Sequence, residues 1–197
     1  MAKKVIVFLA EGFEEVEALT PVDYLRRAGI EVTTVSVSNN LIVKGSHDIP
    51  VTADTNIPAL LGERKLSPSE WDGVICPGGI PGSDNLAASK EAGTFLLEMA
   101  KTGKWVFAIC AAPARVLSPL GILKGKKFTC FPGEEEKVLA RDSKSAGADW
   151  KQDRVVNDGN IITSRGAGTA AEFSFAIIGK LVNEDEAKKL AERVLFR

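Results

Sequence analysis

Three short segments of the chain are apolar almost without interruption: residues 5–10, 74–76 and 105–110. Strands that are covered by helices on both faces have this composition, because neither face meets water. We therefore predict that these segments are strands at the centre of a parallel sheet.

A second pattern lies between the last two of these strands. Ala92, Phe95, Leu96 and Met99 recur at spacings of three and four residues, with charged side chains between them. This spacing places the apolar residues on one face of a helix. It predicts an amphipathic crossover helix that ends near Gly103, since glycine commonly follows the last helical turn.

The first apolar strand begins a β-α-β unit. An acid-rich segment, residues 11–17, leads into a helix expected to end at Arg27, and the β-branched residues 32–37 follow as the next strand. Residues 41–43 and 49–51 flank a polar turn and predict an appended hairpin, and residues 155–156 and 161–162 predict another.

Two further helices are predicted at the C-terminal end, around residues 173–181 and 187–194, with Asn183 and Glu186 spaced as a capping box. Strands and helices alternate, which is typical of a doubly wound, mostly parallel sheet sandwiched by helices. We expect one domain over residues 1–197. Ligands of such folds bind at the carboxyl ends of the strands, so the site is expected there.

Composition excludes several classes of function. The 25 basic and 26 acidic residues balance to a net charge of -1, so nucleic acid and anionic membranes are not implied as partners. No apolar run approaches the length of a membrane span, and the N-terminal run is shorter than a signal-peptide core, so the cytoplasm is the expected compartment. Three cysteines and one histidine favour neither a disulfide framework nor a structural metal.

Candidate chemistry centres on Cys110, at the end of a buried strand in the segment AICAAPARVL. Ala112 is small and Pro113 suits the first turn of a helix, as in a nucleophile elbow. Helix amides and the helix dipole would lower the pKa of the thiol. Cys76 and Cys130 lack this context and are expected to fill the core, which is also the alternative interpretation of Cys110.

The neighbouring strand ends in the segment CPGGIPG, whose glycines allow the backbone to approach a ligand closely. The amides of Gly79 and Ala111 are expected to form an oxyanion hole beside Cys110. A plain strand-to-helix turn is the alternative. The segment is not the G-x-G-x-x-G fingerprint of dinucleotide-binding proteins, so no nucleotide cofactor is predicted.

An acidic cluster of Glu11, Glu14, Glu15 and Glu17 follows the first strand. At least one of these carboxyl groups is expected at the same sheet edge as Cys110, with a solvated helix N-terminus as the alternative. The pattern alone does not choose among them.

Four segments in order, AEGFEEVEALTPVDYLRRAGI, VICPGGIPG, AICAAPARVL and ITSRGAGTAAEFSFAI, resemble the DJ-1/ThiJ/PfpI superfamily, specifically its DJ-1/ThiJ branch. The resemblance runs almost from end to end. It implies a flavodoxin-like sandwich, a homodimer, and Cys110 as the reactive residue.

The resemblance also selects Glu17, which is expected to be protonated and to hydrogen-bond the thiolate, since burial raises the pKa of a carboxyl group. Gly79 and Ala111 match the family's backbone donors. Other positions match the surroundings of the pocket or of the dimer interface: Gly78, Arg27, Arg165, Gly166 and Gly168.

Two departures from the family pattern concern the site. Ala167 stands where proline is common in SRGPGT, and Phe131 stands where some members carry a histidine near the cysteine. A Cys-His dyad within one subunit is therefore not expected. His47, distant from Cys110 in sequence, is expected at the dimer interface rather than as a catalytic base.

The resemblance implies a cysteine-dependent, cofactor-independent enzyme of the glyoxalase III or deglycase type, acting on dicarbonyls or their adducts. The alternative is a redox sensor or chaperone that works through oxidation of Cys110. A cysteine peptidase or amidotransferase ranks last, since these need a histidine base.

Overall fold

The computed structural model describes residues 2–140 and 143–196. Its strands are β1 (Lys4–Leu9), β2 (Glu31–Ser36), β3 (Ile42–Lys44), β4 (Pro50–Thr52), β5 (Thr55–Asn56), β6 (Gly73–Cys76), β7 (Trp105–Ile109), β8 (Lys127–Phe128), β9 (Asp149–Trp150), β10 (Val155–Asp158) and β11 (Ile161–Ser164). Its α-helices are α1 (Glu15–Arg27), α2 (Ile57–Gly62), α3 (Gly82–Ala88), α4 (Lys90–Lys101), α5 (Glu135–Leu139), α6 (Ala170–Leu181) and α7 (Glu184–Arg193).

The central sheet has the strand order β10-β11-β7-β6-β1-β2-β5, and only the pair β10-β11 is antiparallel. The three apolar segments are its adjacent inner strands β1, β6 and β7, which confirms the predicted fold class. Because these three strands run parallel, the loops after Leu9, Cys76 and Ile109 meet at one edge of the sheet.

Helices cover both faces of the sheet, and the side chains of β1 show why the strand is apolar throughout. Val5, Val7 and Leu9 pack against the layer formed by α1, α6 and α7. Ile6 and Phe8 point to the opposite face and pack against residues of α4 and of the segment after β7. Alternate side chains of a strand face opposite sides, so a doubly covered strand contains few polar residues.

The predicted helices lie where the apolar spacing placed them, and α4 ends just before Gly103, whose φ is +74°. The cap of α7 also forms, since the Glu186 amide donates to Oδ1 of Asn183 at 2.8 Å. The reciprocal half of the predicted box does not, because the Glu186 carboxylate instead accepts a hydrogen bond from Lys189.

Both predicted hairpins are present, in different settings. Strands β3 and β4 form a separate two-stranded sheet that carries the turn 45–48 to the edge of the site. Strands β10 and β11 extend the central sheet beyond β7. Within the described residues, no helix has the length and apolar character needed to cross a membrane.

Candidate active site

Cys110 follows β7 directly and lies in the left-handed region of backbone conformation, with φ +64°. This conformation is unfavourable for a residue with a side chain and persists only where the surroundings hold it. Here the Cys110 amide donates to the Ser164 carbonyl at 2.9 Å, and its carbonyl accepts from the Phe131 amide at 2.8 Å. The predicted elbow is therefore present, fixed on both sides.

The helix after the elbow differs from the prediction. Residues Pro113–Leu117 form a single π-helical turn rather than an extended α-helix. A five-residue segment aligns few peptide dipoles, so the helix dipole contributes less at the sulfur than expected.

The Cys110 thiol is surrounded by hydrogen-bonding groups from two loops. The backbone amides of Gly79 and Ala111 donate to the sulfur, and the carboxyl group of Glu17 interacts with it as well. Gly79 has φ +90°, and a Cβ at this position would lie 2.5 Å from both the Glu14 amide and the Gly12 carbonyl. Only glycine fits here, which explains the second glycine of CPGGIPG.

Glu17 is the acid of the N-terminal cluster that reaches the sulfur. It lies in the first turn of α1, is 1% exposed, and accepts a hydrogen bond from the Gly78 amide at 2.9 Å. A Cβ on Gly78 would lie 2.5 Å from both Oε2 of Glu17 and Cβ of Cys110. Gly78 therefore has to be glycine for the acid and the thiol to meet.

Electrostatics couple the two groups. Burial raises the pKa of Glu17 from 4.5 to about 7, in the predicted direction. Burial and the adjacent Glu17 charge also raise the pKa of the Cys110 thiol, and the two backbone amides offset only part of this rise. The predicted lowering of the Cys110 pKa was wrong, because the prediction left out the desolvation of the thiol. The thiolate is favoured only while Glu17 keeps its proton, so the pair carries one negative charge.

The thiol opens into a cavity of about 340 Å³. Its lining is formed by residues from five segments: Glu14, Ser46, His47, Gly79, Ile80, Cys110, Ala111 and Phe131. His47 and Cys110 thus line the same cavity within one chain, although the sequence separates them widely. The β3-β4 turn brings them together by folding back over the elbow, and the place of His47 at a dimer interface stays a prediction.

His47 is fixed by the acids at the start of α1. Its Nδ1 lies 3.0 Å from Oε2 of Glu15 and 3.5 Å from Oε2 of Glu14, and its amide donates to Oε1 of Glu15 at 2.8 Å. The hydrogen bond to Glu15, followed by the charges of Glu14 and Glu15, raises the pKa of His47. Among the described residues, these three side chains are also the one group placed to ligate a metal ion, with donor atoms within 4.8 Å of one another.

The remaining candidates lie outside this cavity. Arg27 is exposed and forms an ion pair with Asp23 at 2.8 Å. Arg165, Gly166 and Gly168 line a neighbouring cavity of about 410 Å³, and Phe131, at the boundary, lines both.

Cys76 and Cys130 are core residues, as predicted. Both are fully buried, and burial raises the pKa of each thiol, that of Cys130 to about 12. Neither lines the cavity of Cys110.

Sequence reasoning missed Ser46 and Ile80, and it left Glu14 and Glu15 undecided within the acidic cluster. Oγ of Ser46 lies 3.0 Å from Oε2 of Glu14 and 3.1 Å from Nδ1 of His47, so it joins the turn to the helix. The run Gly45–Asp48 signals a turn, but no local signal says which loop that turn contacts.

Three kinds of comparison with known proteins point to the same family. Residues 3–180 match the DJ-1/PfpI family. Protein dj-1beta of Drosophila melanogaster is 35% identical over 196 residues, covering 99% of this chain and 98% of that protein. The Parkinson disease protein 7 homolog of Danio rerio is 33% identical, with coverage of 99% and 98%.

The chain spans only part of another relative. Protein DJ-1 homolog B of Arabidopsis thaliana is 36% identical over 99% of this chain, which amounts to 42% of the plant protein.

Solved structures agree on the fold: oxidized Toxoplasma gondii DJ-1 has a TM-score of 0.89 at 35% identity, covering 99% of both chains. Drosophila melanogaster DJ-1beta has a TM-score of 0.89 at 34% identity, covering 100% of both.

Proposed function

The chain belongs to the DJ-1/PfpI family, and from that premise we propose that it is a cysteine-dependent enzyme acting on small reactive dicarbonyls or their adducts. The family includes glyoxalase III and deglycase activities as well as redox-sensing roles. The observation that carries the proposal is the Cys110 thiol at a strained elbow, hydrogen-bonded by Glu17 and two backbone amides, and open to a cavity.

The residues around the sulfur supply each role that carbonyl addition needs. The thiolate of Cys110 attacks the aldehyde carbon, a C–S bond forms, and the π electron pair moves to the oxygen. The amides of Gly79 and Ala111 donate to that oxygen as its charge develops. Glu17, protonated while Cys110 is ionised, gives its proton to the oxygen and becomes the base for later steps. No cofactor takes part in these reaction steps.

Methylglyoxal is the substrate to test first, with lactate as the product. We expect turnover by the wild type and by Cys130→Ala, which removes a fully buried thiol. We expect none by Cys110→Ser, because a hydroxyl group does not ionise under these conditions. Equal turnover by wild type and Cys110→Ser would refute the proposal.

A redox sensor or chaperone that works through Cys110 is the second candidate. The partly exposed sulfur lies beside an acid whose pKa is raised to about 7, so this acid can donate a hydrogen bond to a cysteine sulfinate. One relative, Toxoplasma gondii DJ-1, is known in an oxidized form. Peroxide treatment followed by mass spectrometry should find oxidation at Cys110, and oxidation without any dicarbonyl turnover would favour this candidate.

We further propose a cytoplasmic homodimer. Support for the dimer comes from apolar side chains left exposed on α1, with Val16 48% and Leu19 37% exposed. Such residues on one helix face are typical of a surface that another chain covers.

A further inference from the structure

One arginine just after the elbow binds two carboxylates from different segments of the chain. Arg115 lies in the π-helical turn that follows Cys110, and its side chain is 19% exposed. Its Nε and Nη2 donate to the two carboxylate oxygens of Glu134 at 2.9 and 3.0 Å. Its Nη1 lies 2.9 and 2.7 Å from the two oxygens of Asp84. A planar guanidinium makes these paired contacts, and a lysine ammonium does not reproduce them.

Backbone hydrogen bonds connect this ionic cluster of Asp84, Arg115 and Glu134 to both amides at the sulfur. The Arg115 amide donates to the Ala111 carbonyl at 2.9 Å. Next to Asp84, the Ser83 amide donates to the Gly79 carbonyl at 2.9 Å. Ala111 and Gly79 are the two residues whose own amides donate to the sulfur. The arginine and its first partner are therefore each one hydrogen bond away from an oxyanion donor.

The third member of the ionic cluster is connected to the wall of the cavity. The Glu134 amide donates to the Phe131 carbonyl at 3.0 Å, and the Phe131 amide donates to the Cys110 carbonyl at 2.8 Å. Burial opposes the charge of Glu134, but hydrogen bonds from Arg115 and Lys137 outweigh it and lower the pKa of this carboxyl group. Glu134 is therefore ionised at neutral pH and holds the guanidinium in place.

We propose that Arg115 is a positioning residue, which fixes the Gly79 amide relative to the Ala111 amide by binding Asp84 and Glu134 at once. The proposal rests on the function proposed above, in which these two amides stabilise the oxyanion. The amides follow different strands, β6 and β7, so their separation depends on contacts between two loops. Arg115 does not line the cavity, so it acts through the amides rather than on the substrate.

Steady-state kinetics with methylglyoxal test this role. A donor to the developing oxyanion acts in the transition state, so its displacement lowers kcat and leaves KM nearly unchanged. Arg115→Gln should lower kcat by up to about 10²-fold, the scale for misplacing a reacting group by about 1 Å. Arg115→Lys should lower kcat by a similar factor, because it keeps the charge but not the paired contacts. Wild-type kcat in Arg115→Lys would overturn the inference.

A double-mutant cycle tests whether Arg115 acts through Asp84. The Asp84 side chain is 52% exposed, so Asp84→Ala is expected to fold, and it should lower kcat by itself. Added to Arg115→Gln, it should lower kcat no further, because both changes break the same contact. If the two effects multiplied instead, the two residues would act independently and the inference would be wrong.

Arg26 provides the matched control, because it makes the same kinds of contact away from the site. Its Nη2 donates to Oδ2 of Asp54 at 2.8 Å and to the Val32 carbonyl at 2.8 Å. Arg26→Gln should lower the free energy of unfolding, measured in urea, and leave kcat unchanged. If Arg26→Gln lowered kcat as far as Arg115→Gln does, the loss would reflect general stability, and the positioning role would be refuted.

Alkylation of Cys110 gives a test that does not depend on turnover. The Gly79 and Ala111 amides also favour the thiolate, while the titratable neighbour Glu17 is unchanged in these variants. In Arg115→Gln and Arg115→Lys, the pH midpoint of reaction with iodoacetamide should rise by about 1 pH unit, the size of one weakened hydrogen bond to a charged group.

The alkylation result distinguishes this inference from the proposed function. An unchanged midpoint in both Arg115 variants would overturn the positioning role, whatever the wild type does with methylglyoxal. A raised midpoint in these variants, together with no turnover by the wild type, would refute the enzyme and support the position of Arg115. Arg26→Gln should leave the midpoint at the wild-type value.

Discussion

Replacing Glu17 by glutamine should remove a loss of stability that the wild type suffers as the pH rises, while damaging its activity. Burial raises the pKa of Glu17 from 4.5 to about 7. The folded state therefore binds this proton more tightly than the unfolded chain. Its stabilising contribution is complete below pH 4.5 and is lost as the pH rises through about 7.

The size of this loss follows from the shift. At about 1.4 kcal/mol per pKa unit, the raised pKa of Glu17 lowers the free energy of unfolding by about 2.5 kcal/mol at pH 8 relative to pH 5. A glutamine at this position would occupy nearly the same volume without ionising. The difference in free energy of unfolding between Glu17→Gln and wild type should therefore shift by about 2.5 kcal/mol in favour of the variant between these pH values.

Urea unfolding at pH 5 and pH 8 measures this difference; titrating groups other than Cys110 cancel because both proteins contain them, and Cys110→Ala as a common background removes the coupled thiol. In parallel, methylglyoxal turnover should fall by about 10²-fold or more, since glutamine does not accept and return a proton. Peroxide should still oxidise Cys110 in the variant, which separates the enzyme from the sensor. If the stability difference were independent of pH, and both turnover and the pH dependence of Cys110 alkylation were unchanged, the coupled pair would be refuted.

Three further outcomes are expected. At pH 6 iodoacetamide should label Cys110 alone, because Cys76 and Cys130 are fully buried; peptide mapping that found comparable labelling of either would contradict this. Gly79→Ala should lower the melting temperature and abolish turnover, because its Cβ would lie 2.5 Å from two backbone atoms at φ +90°; a fully active, equally stable variant would show that the loop has room to adjust. Light scattering at micromolar concentration should find a homodimer, and Val16→Asp, at a 48% exposed position, should shift it toward monomer; a wild-type monomer would rule the dimer out.

The fold could be predicted because its signals are local. The apolar runs that became β1, β6 and β7 have no polar face, and the spacing of Phe95, Leu96 and Met99 in α4 suits only a helix. Short elements such as α2, α5 and the strand pair β8-β9 were not predicted. They are too short for a periodicity to show, and tertiary contacts hold them in place.

The sequence predicted only part of the chemistry of the site. The small residues around Cys110 indicated the elbow, but the sign of its pKa shift was wrong, because burial and the neighbouring acid outweigh the amides. Pattern alone did not choose Glu17 among four acids; resemblance selected it. In the structure, Glu17 is the member of this cluster that accepts from the Gly78 amide and meets the sulfur.

The sequence alone therefore determined the doubly wound sheet, the position of the elbow, and the candidate nucleophile, since each depends on residues close together in the chain. Only the tertiary structure decided which acid meets the sulfur and what lies across the cavity. Glu17 reaches Cys110 because parallel pairing of β1, β6 and β7 brings three loops to one edge. His47 reaches the same cavity because Glu15 and Ser46 join the β3-β4 turn to α1. Such long-range contacts leave no periodic trace in a sequence.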